Sequence, residues 1–370
     1  MAVRDITSSG GSITGTQFNS FTGITSFRTI SPTFVNRLKD VTGLRHIVNN
    51  LSIDSKVWAR VGTVTGHQNG NIITYNNYPF DNQSIGFAHN SLPAMPSIAD
   101  SITKVQAWTN PSRTDVSMPN FLFELGDLPK MLKRKGEKQR ILDSHNSVAE
   151  KNFAWLNLLL DVQGIIHFSS IANGRAVELK SLHNGGLRRK RTVYSEAVSS
   201  TQTGITYNSI AGLITGFSTK DTKGKRWASV RWQPDDPGFK SDEDLVRTAR
   251  LAIHGWDLSA PGIGAEIWEA IPWSWFADYF ANVGTFFKAT RNSVGGHATM
   301  GAVMTSIQTV QTQHVTGKPG AYTVNEGQTL YSTKERVPAT AALTFTEPFL
   351  KAQQLTTLLG IGANLGNQGH

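Results

Sequence analysis

The sequence predicts an α+β protein whose helices are segregated from its sheet, with each half assembled from non-contiguous segments. Three observations carry this. Blocks of alternating, β-branched residues and blocks of helical spacing follow one another in long stretches and never as βαβ units. Gly, Ser, Thr and Asn are abundant while hydrophobic residues make up only 39% of the chain, which suits long strands with much surface. The 370 residues suffice for one large or two ordinary domains with a substantial core. The expected division is a β-rich region, 1–117 with 187–235 and 298–335, and a helical region, 118–185 with 241–297 and 338–361. A frayed tail over 362–370 follows. No internal repeat is evident.

Taken in order, VWARVGTVTG (57–66) and NIITYNNYPF (71–80) alternate and are rich in β-branched and aromatic residues. Asn69-Gly70 between them is a hairpin signal. Helical spacing begins near Pro119, where Phe121, Leu125, Leu128 and Leu132 share a stripe and Pro129 divides the segment. A second apolar helix is expected over 147–168, with Trp155, Leu159, Val162 and Ile166 on one face. Asn184-Gly185-Gly186 marks a turn. Strands are then expected over 187–198, 203–217 and 226–233. Ser241-x-x-Asp244 reads as a capping box opening a helix that buries Val246, Ala249 and Ile253. Residues 298–335 read as extended, and 347–361 as a last helix.

The run WEAIPWSWFADYFANVGTFF (268–287) stands apart, because eight of its twenty residues are aromatic in a chain that is 9% aromatic. Glu269, Asp278 and Pro272 make it too polar and too interrupted to span a bilayer. Pro272 suits the first turn of a helix. From there Trp273, Phe276, Phe280, Val283 and Phe287 form one stripe, and Trp275, Tyr279 and Phe286 a second beside it. A helix over 272–288, apolar around half its circumference, is therefore expected against at least two neighbours. A core helix is the plain reading; a ring-lined ligand groove is the alternative.

Composition excludes much chemistry. Cysteine is absent, so no disulfide, thiolate nucleophile or Cys-based zinc site can form. The ten His residues show no HExxH and no i, i+4 pair, so no metal site is expected. There is no Walker A motif and no GxSxG elbow. GIGANLG (360–366) resembles a dinucleotide fingerprint only loosely, so no cofactor is expected. Glu124, Asp127, Asp161, Glu269 and Asp278 sit among apolar residues, where paired acids can do glycosidase work, but helix caps and Arg partners account for such acids as readily. The N-terminus shows no apolar signal region, so synthesis in a cytoplasm is expected.

The net charge is +9 and unevenly spread. Residues 130–140 carry Lys130, Lys133, Arg134, Lys135, Lys138 and Arg140 against one acid, a net +5. Residues 187–235 carry nine basic and three acidic residues, a net +6, opening with Arg188, Arg189, Lys190 and Arg191. Clustered positive charge points to a polyanion, nucleic acid first. Its bland counterpart is a solvated face.

Three segments, in order, resemble one family. PNFLFELGDLPKMLKR (119–134) looks like its E-L-x-D-L-P segment. NFAWLNLLLDVQGI (152–165) looks like its second segment through Trp155 and Asp161, without the Phe-Gly-Trp-x-Pro-Leu wording. The aromatic run resembles its signature W-E-x-x-P-Y/W-S-W-x-x-D-W/Y-F-x-N-x-G through Trp268, Glu269, Pro272, Trp273, Ser274, Trp275, Asp278, Tyr279, Phe280, Asn282 and Gly284. The family is the maturation protein, or A protein, of the small single-stranded RNA bacteriophages, the leviviruses. The resemblance covers roughly residues 110 to 290.

That resemblance implies an elongated molecule with a helical bundle at one end and a β-rich region at the other. It implies a virion protein, made in the host bacterial cytoplasm and present as a single copy in place of a coat-protein dimer. Its partners would be the genomic single-stranded RNA near the 3′ end, the coat shell and a bacterial pilus, with the protein entering the host alongside the RNA. No catalysis and no stable membrane insertion are implied. The two basic sets are then candidates for RNA contact, and the aromatic signature is a packing signature. Two rival readings remain: an RNA-binding structural protein without a receptor role, and a hydrolase of a cell-surface polymer using Glu269 and Asp278.

Overall fold

A computed structural model describes residues 2–42, 49–68, 72–80, 88–114, 168–208, 214–238, 240–254, 282–318 and 322–344. These residues form an α+β structure of twelve strands and four helices. Every pairing described is antiparallel. The strands are β1 (Ala2–Gly10), β2 (Ile13–Asn19), β3 (Ile24–Ile30), β4 (Phe34–Thr42), β5 (Leu51–Arg60), β6 (Thr63–Gln68), β7 (Ile73–Pro79), β8 (Leu187–Asn208), β9 (Ile214–Pro234), β10 (Gly296–Gly317), β11 (Tyr322–Asn325) and β12 (Gln328–Pro338). The helices are α1 (Ile98–Thr109), α2 (Phe168–His183), α3 (Asp242–His254) and α4 (Val283–Thr290). None of these helices is long and apolar enough to cross a membrane.

One sheet runs β1-β4-β5-β12-β10-β9-β8 and the other β11-β6-β7-β2-β3. The stretch expected as one strand at 57–66 is divided between them. β5 ends at Arg60, β6 starts at Thr63, and the chain changes sheet at Val61-Gly62. A Cβ on Gly62 would stand 2.7 Å from the Phe80 ring, so the crossing needs a residue without one. The three strands expected between 187 and 233 are two long ones, β8 and β9. Asn69-Gly70 lies outside the described residues, as do the segments expected as helices at 119–132 and 347–361, residues 147–167, and the 362–370 tail.

The chain divides into two compact units. The first comprises Met1–Ser101, Arg191–Ser229 and Ala302–Ala339. Its core joins Val64, Tyr75, Tyr78, Phe80, Tyr207, Ile214 and Tyr322. Tyr75 meets Tyr78 and Tyr322 edge-on, with ring centroids 5.4 and 5.9 Å apart. Burial, with Tyr322 and Tyr78 beside it, pushes the Tyr75 hydroxyl up to about 12.

A strap over 88–97 crosses one face of this unit. His89 stacks on Tyr331 at 4.1 Å, and its two ring nitrogens meet the hydroxyls of Thr309 and Thr333 at 2.7 and 3.1 Å. Burial, and then Lys220, hold the His89 imidazole below its ordinary value. Asn90 donates its amide to Thr222 Oγ1, and its Nδ2 donates to the carbonyls of Lys220 and Val198. Tyr194 and Arg226 donate to the Pro93 and Pro96 carbonyls.

The second unit comprises Ile102–Lys190, Val230–Gly301 and Thr340–His370. α3 opens at the expected box, in which Ser241 Oγ accepts the Asp244 amide and donates to its carboxylate. It buries Leu245, Ala249, Ala252 and Ile253. Trp232 is 2% exposed and donates its indole N–H to Thr109 Oγ1 at 3.3 Å.

The region expected as β-rich, 1–117, holds β1 to β7 and also the helix α1. Of the helix expected over 272–288, the described part is α4, which begins at Val283 with Asn282 as its N-cap and runs to Thr290, while 272–281 lie outside the described residues. The Asn282 backbone and side chain are held by Ala342 and Thr344.

Candidate nucleic-acid interface

α2 positions the described basic run. Its buried stripe is Ala172, Arg175, Leu179 and Leu182, with Glu178 beside it. The helix ends where the Asn184 amide donates to the Lys180 carbonyl and the Gly186 amide to that of Leu182. Gly185 and Gly186 take φ of +135° and +90°, which only glycine adopts readily, so the chain reverses there and starts β8.

Arg188, Arg189, Lys190 and Arg191 are the second to fifth residues of β8, and all four are exposed. Among the described residues β8 is the outer strand of its sheet, and no residue from Leu187 to Gly204 is buried. Alternation along a strand sends Arg188 and Lys190 to one face and Arg189 and Arg191 to the other. The run is thus divided between two faces.

Arg189 is also the outermost partner of a carboxylate the sequence reading did not single out. Glu178 receives a bidentate pair of hydrogen bonds from Arg113, both 2.9 Å, and has Arg189 at 3.5 Å and the buried Arg175 at 3.9 Å. Burial pushes the Glu178 carboxyl up. Arg113's hydrogen bonds and the charges of Arg113, Arg175 and Arg189 outweigh that and hold it below the usual carboxylate range. Asn110 closes the neighbouring turn, its Nδ2 donating to the carbonyls of Lys288, Ala289 and Arg291.

Further along, Lys223 and Lys225 are exposed on β9, and Arg226 is drawn into structure by Thr305 and Pro96. A cleft of about 660 Å³ on the larger sheet is lined by Arg4, Asn36, Arg37, Ser332 and Lys334 among apolar neighbours. Two of its cations are already paired, Arg4 with Asp40 and Arg37 with Asp5, so it is a poor phosphate site.

The first basic set (Lys130, Lys133, Arg134, Lys135, Lys138, Arg140) lies outside the described residues. So do Trp268, Glu269, Pro272, Trp273, Trp275, Asp278, Tyr279 and Phe280 of the aromatic signature, and Glu124, Asp127 and Asp161. Among the described residues no group of three or more His, Asp or Glu side chains is placed to hold a metal ion.

No protein-family model matches the chain, and no curated protein matches it.

Proposed function

We propose that this chain is a maturation protein of a single-stranded RNA bacteriophage. It is made in the bacterial cytoplasm and incorporated as one copy per virion in place of a coat-protein dimer. There it grips the genomic RNA near the 3′ end, adsorbs the particle to a pilus, and enters the host with the RNA. The elongated form, with a helical bundle at one end and a β-rich region at the other, belongs to the same proposal. It needs neither cofactor nor catalysis.

The observation that carries this reading is the ordered run Trp268, Glu269, Pro272, Trp273, Ser274, Trp275, Asp278, Tyr279, Phe280, Asn282 and Gly284. The exposed basic start of β8 supports it. Guanidinium and ammonium groups on an outer strand give affinity for phosphates without reading sequence. Stem-loop shape and unpaired bases stacked on aromatic or Arg groups would add specificity. Pilus recognition belongs on the loops of residues 1–110 or 298–335, because loops carry recognition.

Ultraviolet cross-linking in purified particles, with RNA sites and peptides both mapped, tests the proposal. Cross-links from 130–140 or 187–191 to discrete stem-loops near the 3′ end are expected. Cross-links scattered evenly along the RNA, or none, would reduce both clusters to solvated faces and refute the genome grip.

A further inference from the structure

The hairpin of β2 and β3 carries an unusual concentration of exposed apolar side chains. Phe21 at its turn is 87% exposed, Phe27 70%, Ile24 60% and Phe18 40%. Ile72, at the adjoining end of the β6–β7 pair, is 42% exposed. A fold seldom leaves so many large apolar groups in water at one place without a use. The register shows how they are disposed. Phe18 pairs with Thr25 and Phe27 with Thr16, which puts both rings on one face of the hairpin. Ile24 pairs with Asn19 and belongs to the opposite face. Phe21 occupies the tip. The hairpin end therefore carries exposed apolar side chains on both faces, two rings on one and Ile24 on the other, and at its point.

Charge and backbone agree with this. The 22 residues from Ile6 to Phe27 contain no charged side chain. At the turn, Asn19 Oδ1 accepts the amides of Phe21 and Thr22 at 3.0 and 3.3 Å. The Ser20 amide and hydroxyl both donate to the Ile72 carbonyl. Three of the four turn amides, those of Ser20, Phe21 and Thr22, thus already have partners, which lowers the cost of taking this backbone out of water. Arg28 is the first charge along β3, and it sits over the Tyr78 ring at 5.8 Å. It lies four residues beyond Ile24, about 13 Å along the strand.

We propose that the β2–β3 hairpin is a lipid-interface probe that inserts Phe18, Phe21, Ile24 and Phe27 into the headgroup–acyl boundary of a bilayer, with Arg28 left at the headgroups. An apolar boundary of about 5–10 Å accepts such a tip from all sides. A flat protein surface would meet one face only. Stacked RNA bases would call for basic residues among the rings, and the hairpin has none before Arg28. Because β3 is the outer strand of its sheet among the described residues, immersion stops at the turn and the first residues of each strand. The inference stands apart from the maturation-protein proposal, since it draws on neither basic cluster nor the aromatic signature.

The test is co-flotation of the full chain with phosphatidylcholine vesicles at high salt, conditions that remove any pull of the +9 charge on anionic lipid. The wild-type chain should float with the vesicles. Phe21→Ser should weaken binding about tenfold or more, and Phe21→Ser with Phe27→Ser further. Circular dichroism matching the wild type would show that the variants fold. Absence of wild-type flotation, or flotation unchanged in the double variant, overturns the proposal. So does a double variant that loses adsorption to piliated cells while the wild type ignores vesicles, because the hairpin is then a protein-docking surface.

Discussion

Glu178 and its three arginines hold together only as a set. The carboxylate is buried, so removing it leaves Arg175 as a buried charge with less compensation, a loss of about 3–5 kcal/mol in comparable sites. Arg189 is 44% exposed on its side chain and stands at 3.5 Å, so its truncation should cost less than about 1 kcal/mol. Glu178→Ala is therefore expected to lower the urea midpoint strongly and Arg189→Ala barely. Equal effects would refute the ranking. The pH dependence follows from the sign of the shift. The folded carboxyl titrates below its ordinary value of 4.5, so its stabilisation is complete above that value and is lost as pH falls through the folded value. An acid titration of Glu178→Gln should lack that component of the loss.

Single elements show what a sequence pattern can carry. α3 was legible because Ser241-x-x-Asp244 precedes an apolar stripe. α1 begins with the same device, Ser97 Oγ accepting the Asp100 amide at 3.0 Å and donating to its carboxylate at 2.8 Å, but its Ile, Thr and Val residues resemble the strands before it. α2 falls inside the expected helical region 118–185 but was not read as an element of its own. Its buried stripe includes Arg175, with Glu178 next to it, and hydropathy periodicity cannot register charges that are buried because they pair. β8 and β9 read as strands, yet their polar stretches suggested breaks that the ladder does not make. The strap over 88–97 has no periodicity, since side-chain hydrogen bonds hold it. Asn90→Ala should raise hydrogen exchange across 88–97 while the β10–β12 ladder stays protected. Lowering the pH should do the same in the wild type. The His89 imidazole titrates below 6.5 in the folded chain, so its anchoring is full above that value and fades as pH falls through the folded one. Exchange rising equally in strap and ladder would mean that the strap is not an independent element.

For the whole molecule, the charge excess was legible as two clusters, but composition could not tell which cations remain available to a polyanion. Arg189 has a carboxylate partner eleven residues upstream on α2, and strand alternation splits its neighbours between two faces. A solvated face and an RNA-binding face differ in one measurable respect. Each phosphate neutralised on a single strand releases counterions and adds about 0.7 to the slope of log affinity against log salt. Replacing Arg188, Lys190 and Arg191 together by Gln should lower that slope by up to about 2 if all three touch phosphates. Arg189→Gln alone should lower it by less than the full value of about 0.7 for one phosphate contact, because Glu178 already neutralises part of its charge. Under the proposed function, the measurement is filter binding of 3′-terminal genomic RNA across a salt series. A reduced slope with an unchanged preference for that RNA over a scrambled sequence would assign β8 to phosphate contact and leave shape recognition to other residues. An unchanged slope would remove β8 from the RNA path and shift the whole of the expected grip to residues 130–140.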